Sequence, residues 1–438
     1  MNVREAKTWL LDQAKDRGVD LEVLSTSDRT LSIEAQGGEL SDVRLATRGG
    51  IGLRVVTSGR VGYASSEELT EEALRWALDE AIENAELQPE GTATLPQGGA
   101  LGRHDLLDEG LSAPMEDKVA AAVTLERGVR ADARVQAVQV ARYQEQEMAV
   151  EIGSSRGVDG GYRAGITGFL TSLVMRQGDS VKQGYEFDFR REFHQLDPGR
   201  TALDALDKVG RQLGAKPLKT GRRRAVFAPE VVASLFALFF HAVSGKNVAE
   251  GKSRLAGKIG QQIASEAITI VDDATLAGGL ASRPFDAEGT ASRRVVVVER
   301  GVLRSFLHNT DTAARTSQTT TGHASRSYAS TLGVAPTNVI LEPGGGVREA
   351  DGVLVTDLMG VHAGANPITG DVSVQGMGIE TKGGEAWPVE DFAVSFNLFE
   401  LLMRVDEVGD DVTLIPGMGG GAMLAVSLAA DGVSFAGG

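Results

Sequence analysis

The 438-residue chain has no cysteine, which excludes disulfides, thiolate metal ligands and a cysteine nucleophile. Aromatic residues are sparse at 5%, while glycine is abundant at 55 residues. Little aromatic bulk and many glycines imply tight turns and close backbone approaches, hence a strand-rich fold. Cations are in deficit: 44 Lys and Arg stand against 60 Asp and Glu, a net charge of −16. That balance argues against general nucleic-acid binding, which needs a positive face. Long apolar runs are also missing. The longest, Val231 to Phe240, is too short to cross a bilayer. The amino-terminal segment carries Val3, Ala6, Trp9, Leu10 and Ala14 at helical spacing before Gly18, which reads as a surface helix and not a signal peptide. The expectation is a cytoplasmic protein with no membrane partner and no direct nucleic-acid partner.

A hydrophobic content of 42% and a charged content of 24% are those of a globular protein, and the length suggests two domains. The predicted class is α+β. An amino-terminal α/β domain over 1–215 places helices on a sheet, and a β-rich domain over 220–438 surrounds a buried apolar helix. In the first half, four or five strands are expected between Leu21 and Ser65, with turns at Gly37-Gly38 and Ser58-Gly59. A helix capped by Ser66 follows, and helices are expected near 115–128 and 201–213. In the second half, "PEVVASLFALFFHAVS" is apolar on nearly every face, which marks it as buried. Pro229 suits its first turn and Ser244-Gly245 its end.

The stretch "FFHAVSGKNVAEGKSRLAGKIG", Phe239 to Gly260, approaches two motifs and completes neither. A phosphate loop needs Gly, four residues, then Gly-Lys-Ser/Thr directly after a strand. Here Gly245 and Gly251 are separated by five residues, after a helix. A zinc-peptidase helix needs a second histidine and a Glu beside the first, but Ala242 follows His241. One imidazole cannot hold zinc, so His241 reads as a helix-end residue bonded to a carbonyl or a partner. "GMGGGA", Gly417 to Ala422, imitates a dinucleotide fingerprint, with too little chain after it to finish that unit. "TGHASRS" and "GVHAGANPITGD" place His323 and His362 in polar loops, where functional residues often sit. There Asn366, Thr369 and Asp371 serve equally well as turn-formers. Lys246, Lys252, Ser253 and Lys258 belong to a loop with four basic residues around Glu250, suited to acidic peptides or an acidic partner surface.

Taken together, "SGKNVAEGKSRLAGKIGQQIAS", "TTTGHASRS", "NPITGDVSVQGMGIETKGGEAWPV" and "LLMRVDEVGDD" resemble the TldD/PmbA family, known as modulators of DNA gyrase and as metallopeptidases. The likeness covers almost the whole chain. One branch, TldD-like, carries a His-Glu-x-x-x-His helix and a late cysteine that hold zinc; the TldE branch, also called PmbA, lacks them. By local matching, Phe240 and Gly245 fall at the two histidines, His241 at the Glu, and the cysteine position falls near Met418 to Gly420. The chain is therefore similar to the TldE branch. The resemblance implies a non-metal subunit without catalytic residues or a cofactor of its own. Zinc would sit in a TldD-like partner, and the heterodimer would process unfolded or short peptides. Two alternatives stand beside it. One is a stand-alone or homodimeric binding protein, acting on gyrase or an antitoxin. The other is an independent hydrolase using residues such as His323, His362 and Asp371. Glycine-rich "GDVSVQGMGIETKGG" is the expected strand for peptide addition.

Overall fold

The computed structural model describes residues 1–418 and 421–438; Gly419 and Gly420, part of the "GMGGGA" stretch and of the matched cysteine position, lie outside the described residues. The amino-terminal half is built on four strands of 17 to 20 residues: β1 (Asp20–Gln36), β2 (Glu39–Thr57), β5 (Val135–Ser154) and β6 (Asp159–Gln177). Three shorter strands are β3 (Arg60–Ser66), β4 (Ala100–Leu106) and β7 (Ser180–Arg190). Their order is β3-β2-β1-β5-β6. The outer edge of β6 is shared by β4, parallel along its start, and β7, antiparallel along the rest.

Period-two alternation sets the two faces of this sheet. Leu21, Val23, Leu31 and Ile33 of β1 turn to the helical side. Helices α1 (Val3–Asp16) and α2 (Glu71–Glu86) cover one part, with Leu10, Leu53, Leu74 and Leu78 at its centre. Helices α3 (Met115–Arg130) and α4 (Pro198–Gly210) cover the other, around Leu125, Tyr143 and Phe169. Thr70, not Ser66, caps α2, its side chain accepting from the Ala73 amide.

Three strands, not four or five, occupy the region before α2. The glycines after Thr47 do not turn the chain but stay inside β2. A Cβ on Gly50 would lie 2.5 Å from the Tyr328 ring, and one on Gly52 would lie 2.1 Å from the Tyr328 carbonyl. They mark where the second half presses on the sheet.

In that half, helix α5 (Pro229–Val243) lies between two sheets. Five strands form a closed ring: Gly221–Phe227, Gly352–Met359, Asp371–Lys382, Glu385–Asn397 and Leu428–Gly437, the last pairing with both the first and the fourth. The other sheet runs Val302–Leu303, Arg294–Glu299, Ile270–Asp273, Asn338–Leu341, Gly421–Ala425, Thr413–Met418. One core joins them through Phe236 and Phe239 of α5, Phe227, Phe392 and Val297. Asp371–Lys382 is thus not a free edge. Both its sides are paired, and its Gly378 is required because a Cβ would lie 2.2 Å from the Leu354 carbonyl. A short helix, Leu398–Arg404, follows Asn397, and the chain then becomes the strand Val405–Val408.

The two halves meet on the sheet face opposite the helices. Glu22 and Arg54, on β1 and β2, are buried there with Glu288 and Arg326. Arg54 donates to Glu288 at 2.7 Å and Arg326 to Glu22 at 2.8 Å, while the Thr310 amide donates to Glu288 at 2.8 Å. Two buried cations and two buried carboxylates neutralise one another, and the arrangement tolerates no loss of a single member. Glu288→Gln is expected to lower the unfolding free energy in urea by about 3–5 kcal/mol. The double variant Arg54→Met/Glu288→Leu, which removes a cation with its anion, is expected to recover most of that loss.

Candidate functional site

Helix α5 carries its carboxy-terminal end to the surface, and most of the residues singled out in the sequence gather around it. His241 is half-buried on the last turn, its ring against the Pro367 carbonyl. Burial pulls its pKa down, partly opposed by that contact. The Asn247 side chain donates to the His241 carbonyl at 2.7 Å, and Ser253 Oγ to the Ala242 carbonyl at 2.5 Å. These bonds satisfy carbonyls left free where the helix ends. Ser253 is therefore a helix-end clasp.

The turn at 366–371 packs beside it. Asn366 Oδ1 accepts from the amides of Ile368 and Thr369, and Thr369 Oγ1 donates to Asp371 at 2.8 Å. Asn397 ties the turn down, donating to the Thr369 carbonyl and to Asp371, each at 2.8 Å. Hydrogen bonds from Asn397 and Thr369 hold the Asp371 carboxyl below the usual carboxylate range. Arg254 closes the group by donating to the Thr369 carbonyl at 2.7 Å and stacking over Phe399. His241, Ser253, Asn366, Thr369 and Asp371 thus share one rim.

Beside that rim is a cavity of about 670 Å³ with Arg222, Arg254, Lys258 and Arg404 in its wall and Glu400 as the opposing acid. Lys258 belongs to the basic loop. Arg222 and Arg404 went unsingled: the basic run before Ala225 was visible in the sequence, but nothing local said which of its members faces a cavity. Arg223 instead pairs with Glu380, and Arg224 with Asp406, Glu407 and Asp431. The other loop lysines do not converge here. Lys252 is exposed and pairs with Glu250 at 2.7 Å. Lys246 lines a separate cavity of about 450 Å³ with Arg54, Tyr63 and Thr310.

His323 is elsewhere and fully buried. Its Nε2 meets Asp272 Oδ1 at 3.0 Å and its Nδ1 meets Thr321 Oγ1 at 2.9 Å. Burial raises the Asp272 pKa, but the bonds from His323 and Thr337 outweigh it and the net shift is downward. Both imidazole nitrogens are engaged, and the pair binds one segment to another. His362 is exposed on the single turn Val361–Gly364. His323, His362 and Asp371 share no hydrogen bond or ion pair.

At the positions matched to histidine ligands, Phe240 is 7% exposed and packs edge-on against Phe239. Gly245 is buried under His308: a Cβ there would lie 2.1 Å from His308 Nδ1 and 2.6 Å from the Leu307 carbonyl. Among the described residues, no group of three or more His, Cys, Asp or Glu side chains is placed to hold a metal ion. His308, not singled out from the sequence, is buried with Nδ1 3.1 Å from Thr312 Oγ1 and Nε2 without a partner. Burial, aided by nearby His323, pushes its pKa down to about 4.

The sequence matches three profiles of one family: PmbA/TldA metallopeptidase domain 1 over 21–85, the central domain over 108–213 and the C-terminal domain over 220–437. It is 25% identical to "Metalloprotease PmbA" of Escherichia coli O157:H7, over 94% of this chain and 92% of that protein. It is 28% identical to an uncharacterized protein of Methanocaldococcus jannaschii, over 92% and 94%. The fold superposes on TldE from Thermococcus kodakarensis with a TM-score of 0.87 at 24% identity, covering 98% and 100% of the two chains. A candidate modulator of a DNA gyrase from Thermotoga maritima gives 0.87 at 25%, covering 99% and 100%.

The neutral state of His308 makes a pH prediction. Its folded pKa lies below the unfolded value of about 6.5. As pH falls through 6.5 the unfolded chain takes up the proton first, so stability declines until the folded form is protonated near pH 4. Asp286, pushed up to about 6 by burial and by Glu288, works in the opposite direction over the same range and masks the loss. The stability of wild type relative to His308→Gln is therefore the informative quantity. It should fall by about 3 kcal/mol between pH 7 and pH 4 in urea titrations.

Proposed function

Because this chain belongs to the PmbA/TldA metallopeptidase family, we propose that it is the non-metal-binding subunit of a two-subunit metalloprotease that degrades or processes unfolded or short peptides. Its partner in this reading is a cytoplasmic TldD-like subunit that holds the zinc. The observation that carries the reading is the packing at the two matched ligand positions. Phe240 fills core space, and Gly245 leaves no room for any side chain beside His308. The residues present do not fit zinc, since His241 alone is a single donor and a catalytic zinc site draws on three protein ligands. No step of peptide hydrolysis is assigned to a side chain of this chain.

What remains for it to do is shape the cavity and hold the substrate. An unstructured peptide is held by backbone bonds to a strand edge and by a few side-chain anchors. Among the described residues, Thr413–Met418 pairs on one side only, with Gly421–Ala425, and supports the first role. Arg254, Lys258, Arg222 and Arg404 support the second, because four cations around one acid attract acidic peptide segments or an acidic partner surface.

Two measurements test this. Elemental analysis of the purified chain should find no stoichiometric zinc, and peptidase activity should appear only on adding a subunit with a His-Glu-x-x-x-His helix. Robust hydrolysis by the chain alone, or one zinc per chain, overturns the reading. The second measurement separates the cavity from the rest of the loop. Arg254→Glu/Lys258→Glu should weaken assembly or capture of acidic peptides by tenfold or more, the order of two reversed charge contacts. Lys252→Glu, outside the cavity, should change neither.

A further inference from the structure

A second cavity lies between the halves, on the sheet face that carries no helices. Its volume is about 410 Å³, within the range of about 300–1,000 Å³ usual for small-ligand pockets. Leu24, Met148, Val150, Ile166 and Leu280 give it apolar walls, and Arg191, Arg283 and Arg326 also line it.

Two of the three cations there, Arg191 and Arg283, form no ion pair among the described residues. Arg326 has a side chain with no exposure and one partner, Glu22; its Nε and Nη1 have none. Arg191 donates only to carbonyls, those of Gly279 at 2.9 Å, Gly165 at 3.0 Å and Ser282 at 2.9 Å. Burial lowers its pKa, so its charged form is held at a cost. Arg283 reaches the carbonyls of Gly322 at 3.5 Å and Ala324 at 3.3 Å, and its buried Nε is unpaired. Among the described residues, neither Arg191 nor Arg283 forms an ion pair. The one acid in the wall, Asp286, spends both oxygens on amides: Glu288 and Thr290 at 2.9 Å, and Ala324 at 3.0 Å. Tyr162 lines the same cavity as Arg191 and Arg283; burial raises its phenol, and the fields of the two arginines oppose that shift.

Two guanidinium groups with no carboxylate in ion-pair contact, and only Asp286, already engaged by amides, in the same wall, form an incomplete ion arrangement. Arginine's planar fork matches a carboxylate, and the apolar wall suits a hydrocarbon side chain next to it. We propose that this interdomain cavity binds the carboxylate at the end of a peptide whose last residue is apolar, with Arg283 and Arg191 as its counter-ions and Tyr162 as a hydrogen-bond donor. The site is separate from the rim at the end of α5 and does not depend on a metal-bearing partner.

Calorimetric titration of the isolated full chain decides it, with acetyl-Ala-Leu as free acid, acetyl-Ala-Leu-amide and acetyl-Glu-Ala-amide. The free acid should bind, and the Leu-amide should bind at least about tenfold more weakly, the scale of one charge-assisted hydrogen bond. Arg283→Gln should weaken the free acid by a similar factor, while Arg283→Lys, which keeps the charge, should lose less. Unfolding curves for both variants control for misfolding, and the comparison of the three peptides on wild type stands without them. Equal binding of the two Leu peptides, no binding of the free acid, or indifference to Arg283→Gln in a folded variant overturns the site. Acetyl-Glu-Ala-amide binding as well as the free acid overturns the chain-end assignment in favour of a side-chain carboxylate. Since no partner subunit is present, failure here leaves the two-subunit reading intact.

Discussion

A helix that is apolar on all but one narrow stripe has to be enclosed over most of its surface, and that requirement organises the carboxy-terminal half. Helix α5 finds the ring of five strands on one side and the second sheet on the other. Its first turn begins at the buried Pro229, and Ser234 and Ala237 lie along an exposed stripe. At its far end the chain must satisfy orphan carbonyls. Asn247 and Ser253 do so, and in doing so fix the basic loop and its Arg254 against the turn at 366–371. The basic cavity thus follows from how a buried helix ends.

The same enclosure leaves His241 as the single imidazole on this helix. Ligands at Phe240 and Gly245 would need polar side chains where one position is core and the other is pressed against His308. A neutral imidazole, kept neutral by burial, occupies that space. The packing is complete in its own terms: an aromatic ring, a glycine and a histidine fit together where a metal shell would have to fit.

Much of this was legible in the sequence, where a local pattern carried the information. The helices, the long hairpin turns, the buried α5 and the near-miss at Phe239 to Gly260 follow from periodicity, caps and spacing. The strand count before α2 came out too high, and nothing local shows that Gly50 and Gly52 stay inside one long strand. Their reason lies 270 or more residues away, in Tyr328. Ser66 was misread as a cap because Thr70 competes with it at similar spacing. The glycine-rich strand Asp371–Lys382 looked like an open edge because its own residues do not show that Gly352–Met359 and Glu385–Asn397 pair with its two sides. Arg222 and Arg404 joined the cavity wall through tertiary folding alone. The buried set Glu22, Arg54, Glu288 and Arg326 gave no sequence signal, since long-range charge pairing has no spacing rule.

Ring closure has a consequence for biosynthesis. The strand that completes it meets residues far upstream; Thr220, for instance, bonds to Gly437 across 217 positions. Until that strand leaves the ribosome, Gly221–Phe227 and Glu385–Asn397 have unsatisfied ladder groups facing outward, in a nascent chain already rich in apolar segments. Exposed edges of that kind recruit other strands, and contacts so distant in sequence form slowly. The half-made domain is therefore the species that a holding chaperone would recognise, and the one most open to misassembly during translation.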